Sequence, residues 1–134
     1  MPIAMTQEQQ ALQASLRDWA KRAGTRALVR AQEPGGHTEQ PPLAEIAALG
    51  VFAMPQDGGT VTDLAVALEQ LAHDLAPGPV PPIVLAAALL ARHGGQPGYA
   101  RELLSALGQA RTSACVALSP GTLTGTASPT APCG

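Results

Sequence analysis

The sequence predicts an all-α fold: a helical bundle of about five helices, followed by one orphan β-strand and a disordered tail. Three observations predict it. Apolar residues recur at spacings of three and four from Leu12 to Leu107. Hydrophobic residues make up 46% of the chain but aromatics only 2%, so the core must be built from Ala, Leu and Val, whose small volumes let helices approach closely. Proline and glycine then punctuate the chain at intervals that suit helix starts and stops. At 134 residues, one core is the natural expectation. Residues 1–111 are expected to form a helical domain, and 112–134 the start of a truncated β-domain with a loose tail.

The first helix opens at Thr6, whose hydroxyl can pair with Gln9 in a capping box. Leu12, Leu16, Trp19, Ala23 and Ala27 then share one face of a single long helix ending near Ala31, and Gly24 weakens its interior. Glu33 to Gly36 reads as a loop. Pro41 and Pro42 open a second helix carrying Leu43, Ile46 and Leu49, with Gly50 at its stop. Val51 to Met54 is apolar but brief, and Gln56 to Gly59 is a turn. Thr60 and Asp63 cap a third helix, whose stripe is Leu64, Leu68, Leu71 and Leu75. Pro81 and Pro82 open a fourth. Its run from Ile83 to Leu90 is apolar on every side, which predicts burial all round and a central place. The fifth runs from Pro97 to Gly108 with Tyr99, Leu103, Leu104 and Leu107. Thr112 to Leu118 reads as the strand. From Thr122 only Leu123 offers apolar surface, too little to offset the entropy of ordering. The composition from Ala127 to Gly134 suits GC-rich DNA read out of frame, so a truncation or frameshift near Thr126 is expected.

Several function classes fall away. The net charge is −2 and 13% of residues are charged, so no clustered basic face is expected to hold a nucleic acid. Arg17, Lys21, Arg26 and Arg30 alternate with Asp18 and Glu33 and read as a solvated helix face. His37, His73, His93, Cys115 and Cys133 lack metal-ligand spacing, so no metal is expected. Cys115, in an apolar run, reads as a small buried hydrophobe. No serine sits in a nucleophile elbow, and the glycine pairs read as helix stops. Glu45, Glu69, Asp74 and Glu102 read as solvated or capping charges, so no catalytic residue is expected. No secretory signal is visible and no apolar run is long enough to span a bilayer, which gives a cytoplasmic expectation.

Four stretches together resemble the acyl-CoA dehydrogenases. They are Gln9 to Trp19, Leu43 to Pro55, Thr62 to Ala72 running into Leu75 to Val80, and Leu103 to Ala110 followed by Ala117 to Pro120. Glu69-Gln70-Leu71 resembles the family's Glu-x-Leu signature and Ala76-Pro77-Gly78-Pro79 its Ala-Pro-x-Pro ending, and the order and spacing of the four stretches together carry the likeness. The resemblance implies an N-terminal helical domain that precedes a β-domain and a second bundle. It implies an FAD-dependent oxidoreductase acting on acyl-CoA thioesters in lipid metabolism, with acyl-CoA as ligand and with a protein partner or a second copy. The catalytic carboxylate of the family lies in the second bundle, so this chain is expected to be inactive alone, or to serve as a non-catalytic subunit. A generic helical interaction module is the remaining alternative. By the same resemblance, Gly78, Pro79, Val80, Ile83 and Val84 form one wall of the acyl pocket, and Leu118 and Ser119 touch the flavin. The family's Thr-Glu-Pro is here Leu118-Ser119-Pro120, and its following Gly-Ser-Asp is absent.

Overall fold

A computed structural model describes residues 4–33, 41–94 and 97–117. Among them are six α-helices and no β-strand: α1 (Gln7–Ala23), α2 (Thr25–Ala31), α3 (Leu43–Ala48), α4 (Val61–His73), α5 (Val80–His93) and α6 (Pro97–Gly108). This corrects the expected fold at two places. The single first helix is two, because Gly24 adopts φ 64°, ψ 39°, and this left-handed residue ends α1 with its N–H on the Ala20 carbonyl. The orphan strand is absent. Residues 113–117 belong to no helix or strand, although Thr112, Ala114 and Val116 are half-buried while Ser113, Cys115 and Ala117 are exposed. Burial does alternate along this segment, but no second segment among the described residues offers a ladder, and a strand exists only as a paired element. Cys115 is exposed rather than buried. Leu118, the tail and the Pro34–Gly36 part of the expected loop lie outside the described residues.

Two capping boxes start the longer polar-edged helices. In α1, Gln9 N–H donates to the Thr6 hydroxyl (3.2 Å) and Thr6 N–H to Gln9 Oε1 (3.1 Å). In α4, Asp63 N–H donates to the Thr60 hydroxyl (3.2 Å) and Thr60 N–H to Asp63 Oδ2 (2.8 Å). Each box satisfies amide donors that a helix start leaves open. The two boxes are joined, since Gln9 Nε2 donates to Asp63 Oδ1 at 2.8 Å. Further along, Arg17 Nη2 donates to Gln70 Oε1 (3.3 Å), and beyond the Gly24 turn the Thr25 hydroxyl donates to the Asp74 carbonyl. The three ties advance in the same sense along both segments, so α1–α2 and α4 run parallel.

The core lies between these helices. Leu16, Ile46, Val51, Phe52, Ala67, Ile83, Ala87 and Leu107 are fully buried, with Trp19, Leu71, Val80 and Val84 nearly so. α1 packs on α4, α4 also meets α5, and α5 pairs with α6. The short apolar stretch after α3 therefore contributes two of the most buried side chains, Val51 and Phe52. Trp19, the single tryptophan, lays its ring in the core while its Nε1–H donates to Glu45 Oε2 on α3 at 2.8 Å. Several expected core positions are exposed, Leu85 and Leu89 of α5 among them. Leu75 sits past the end of α4 at φ 55° and is half exposed. Ala27 is turned outward by the break at Gly24, and Tyr99 projects from α6.

Candidate functional site

The segment assigned to a pocket wall joins α4 to α5. Gly78 has φ 115°, and a Cβ there would lie 2.8 Å from Pro41 Cβ and 3.1 Å from Leu43 Cδ2. Glycine is required by both its backbone and its neighbours, because the loop presses directly on the start of α3. Pro79 is the N-cap of α5, and Pro81 and Pro82 occupy its first turn, where a missing N–H leaves nothing unpaired. Gly78 and Pro79 are exposed, while Val80, Ile83 and Val84 turn into the core. The five residues are thus neighbours, but only the first two present surface. Leu118 and Ser119 lie outside the described residues.

The opposite face of α5 holds what the sequence reading missed. Leu85 and Leu89, one turn apart, are 50% and 38% exposed. Beside Leu89 an apolar cleft of about 460 Å³ lies between α5, α6 and residues 114–117, with Ala86, Leu90, Leu103 and Val116 among its lining. The signal was present in the sequence, since a helix apolar all round needs cover on every side. The described residues cover only part of it: α5 packs between α4 and α6, yet it keeps an open stripe at Leu85 and Leu89.

A second cleft, of about 480 Å³, opens where α1 turns into α2 and both meet the end of α4. Lys21, Arg26, Arg30 and Asp74 line it together with Gly24 and Thr25. Asp74 is held below the ordinary carboxylate range. Burial pushes it up, but hydrogen bonds from Gln70 and His73 and the charges of His73 and Arg26 outweigh that. Asp63 is also lowered, first by the Gln9 hydrogen bond and then by the Thr60 amide and hydroxyl. Both acids have structural work, as a helix cap and a corner, and every other described Asp or Glu is exposed. None has the desolvated setting that a base for proton abstraction at carbon requires. Among the described residues no group of three His, Cys, Asp or Glu side chains is placed to hold a metal, and no helix is long and apolar enough to cross a membrane.

Over 95 residues the chain is 33% identical to the acyl-CoA dehydrogenase FadE34 of Mycobacterium tuberculosis. The match takes in 60% of this chain but only 13% of that protein's length. The chain is therefore distantly similar to one member of the acyl-CoA dehydrogenase family. No family model and no solved structure matches it.

Proposed function

We propose that this chain is the N-terminal helical part of a flavin-dependent acyl-CoA dehydrogenase, contributing structure to the α,β-dehydrogenation of acyl-CoA thioesters and no catalytic group of its own. The observation that carries the reading is the 33% identity to an enzyme of that name. In this reading residues 1–111 are the helical domain. Gly78 and Pro79 offer the acyl-facing surface, and Val80, Ile83 and Val84 anchor it to the core from behind. Activity, substrate and partners of the whole enzyme belong to the proposal, because the match covers a small share of the relative.

In this reading flavin and catalytic carboxylate belong to other polypeptide, and the protein works in the cytoplasm with them. The open Leu85–Leu89 stripe favours a particular form of the reading, in which this chain docks as a non-catalytic subunit on a separate flavin-bearing chain. Co-expression with the neighbouring genes tests it. A co-purified complex with flavin absorbance that oxidises acyl-CoA is the expected result. Stable co-purification without flavin, or no association with any product of those genes, refutes it.

A further inference from the structure

We propose that the cleft at the α1–α2 turn binds a phosphate monoester group, a function separate from acyl-CoA oxidation. The cations of this acidic chain are not spread evenly. Arg17, Lys21, Arg22, Arg26 and Arg30 fall within four turns of helix, and Asp18 is the only acid among them. In one straight helix Lys21 and Arg26 would project in directions more than a quarter-turn apart, because five residues advance the helix well past a full turn. The left-handed residue at Gly24 abolishes that geometry and brings Lys21, Arg26 and Arg30 to one concavity.

The concavity is built rather than incidental. Thr25, 2% exposed, locks the turn to the end of α4 through its hydrogen bond to the Asp74 carbonyl. Asp74 faces the same space, yet its carboxylate is already occupied. Gln70 Nε2 donates to Oδ2, and His73 Nδ1 lies 3.0 Å from Oδ1. Three cations against that one anion leave an excess of two positive charges. A phosphate monoester carries about −1.5 to −2 at neutral pH, and its three terminal oxygens suit the forked donors of arginine. A single carboxylate leaves one positive charge unmatched. Among the described lining residues the donors are Lys21, Arg26 and Arg30, so the phosphate itself, rather than a base or ring attached to it, is what they recognise.

The test uses the full chain and two probes: inorganic phosphate at constant ionic strength, and phosphatidylcholine vesicles with or without phosphatidic acid. NMR shifts of the Gly24 and Thr25 amides follow the first, and co-sedimentation the second. Saturable shifts are expected, stronger at pH 8 than at pH 6, because phosphate carries more of its second negative charge at the higher pH. R26A with R30A should weaken binding at least tenfold, while R101A on α6 leaves it unchanged; all three sites are exposed and should not unfold the chain. Saturation by free phosphate without retention on vesicles makes the source a soluble ester, and retention only with phosphatidic acid makes it a lipid headgroup. No saturation with either probe, or equal weakening by R101A, overturns the proposal.

Discussion

Replacing Gly24 with Ala separates two pictures of the chain by the sign of one measurement. In a continuous helix from Gln7 to Ala31, the change improves helix propensity and should stabilise by about 1 kcal/mol. In the observed structure Gly24 has φ 64°, and an added Cβ would meet nothing within 4 Å, so no packing clash contributes. The whole effect is then backbone strain, roughly 1–2 kcal/mol for an L-residue in the left-handed region. Should the substituted position revert to right-handed helix instead, α2 swings away and the Thr25 hydrogen bond to Asp74 is lost, which also destabilises by about 1 kcal/mol. The two pictures thus differ by about 2 kcal/mol, well above the error of urea denaturation followed by Trp19 fluorescence. The expected outcome is a midpoint lowered by about 4 °C or more in a parallel thermal scan. Gly24→Asn should lose less, because Asn tolerates the left-handed conformation. A Gly24→Ala chain as stable as its parent, or more so, would refute the kink and with it the phosphate cleft.

Other positions give independent checks. Gly78→Ala combines positive φ with a Cβ 2.8 Å from Pro41, so it should destabilise by more than Gly24→Ala does, read in the same urea titration. Ile83→Ala removes a fully buried side chain and should destabilise by about 2–5 kcal/mol; a loss below about 1 kcal/mol would mean that Ile83 lines a pocket instead of the core. Leu75→Gly should stabilise, by up to about 1 kcal/mol, because the leucine is half exposed and held at φ 55°; calorimetry showing a lower midpoint would count against that backbone. The lowered Asp63 adds stability that is complete above its ordinary value of 3.8 and disappears as pH falls through the lower folded value. Asp63→Asn should therefore flatten the acid limb of stability against pH below about 5, and an unchanged limb would show that the Gln9 contact does not form in solution.

Local rules read well here where a few neighbouring residues decide the outcome. Thr6 with Gln9 and Thr60 with Asp63 form the capping boxes their spacing announces, and the prolines at 81 and 82 sit in the first turn of α5. The failures are at points where distant chain decides. Whether one glycine weakens a helix or breaks it depends on a partner, and the Asp74 carbonyl that receives Thr25 is 49 residues away. The step in register after Gly24 then turns Ala27 outward. For the same reason the alternating segment from Thr112 could not be settled locally, because alternation reports one covered face and not a ladder.

The candidate site was legible only in part, and α5 explains why. Its sequence states a demand, apolar surface on all sides, without saying what meets it. The inward side is satisfied, since Ile83, Val84 and Ala87 belong to one buried cluster with Ile46, Phe52 and Leu107. Leu85 and Leu89 are left open next to a cleft whose far wall is the extension from Ala114 to Ala117. At about 25 cal/mol per Å² of apolar surface, covering two such leucines and their cleft is worth a few kcal/mol at most, enough to orient a docking partner but not to hold it alone. A polar partner would gain nothing there. The stripe therefore selects an apolar surface of similar length, and changing Leu85 and Leu89 together to Gln should leave the fold intact while removing association with a flavin-bearing chain. If that association survives the double change, the docking face lies elsewhere and the open stripe of α5 has no part in assembly.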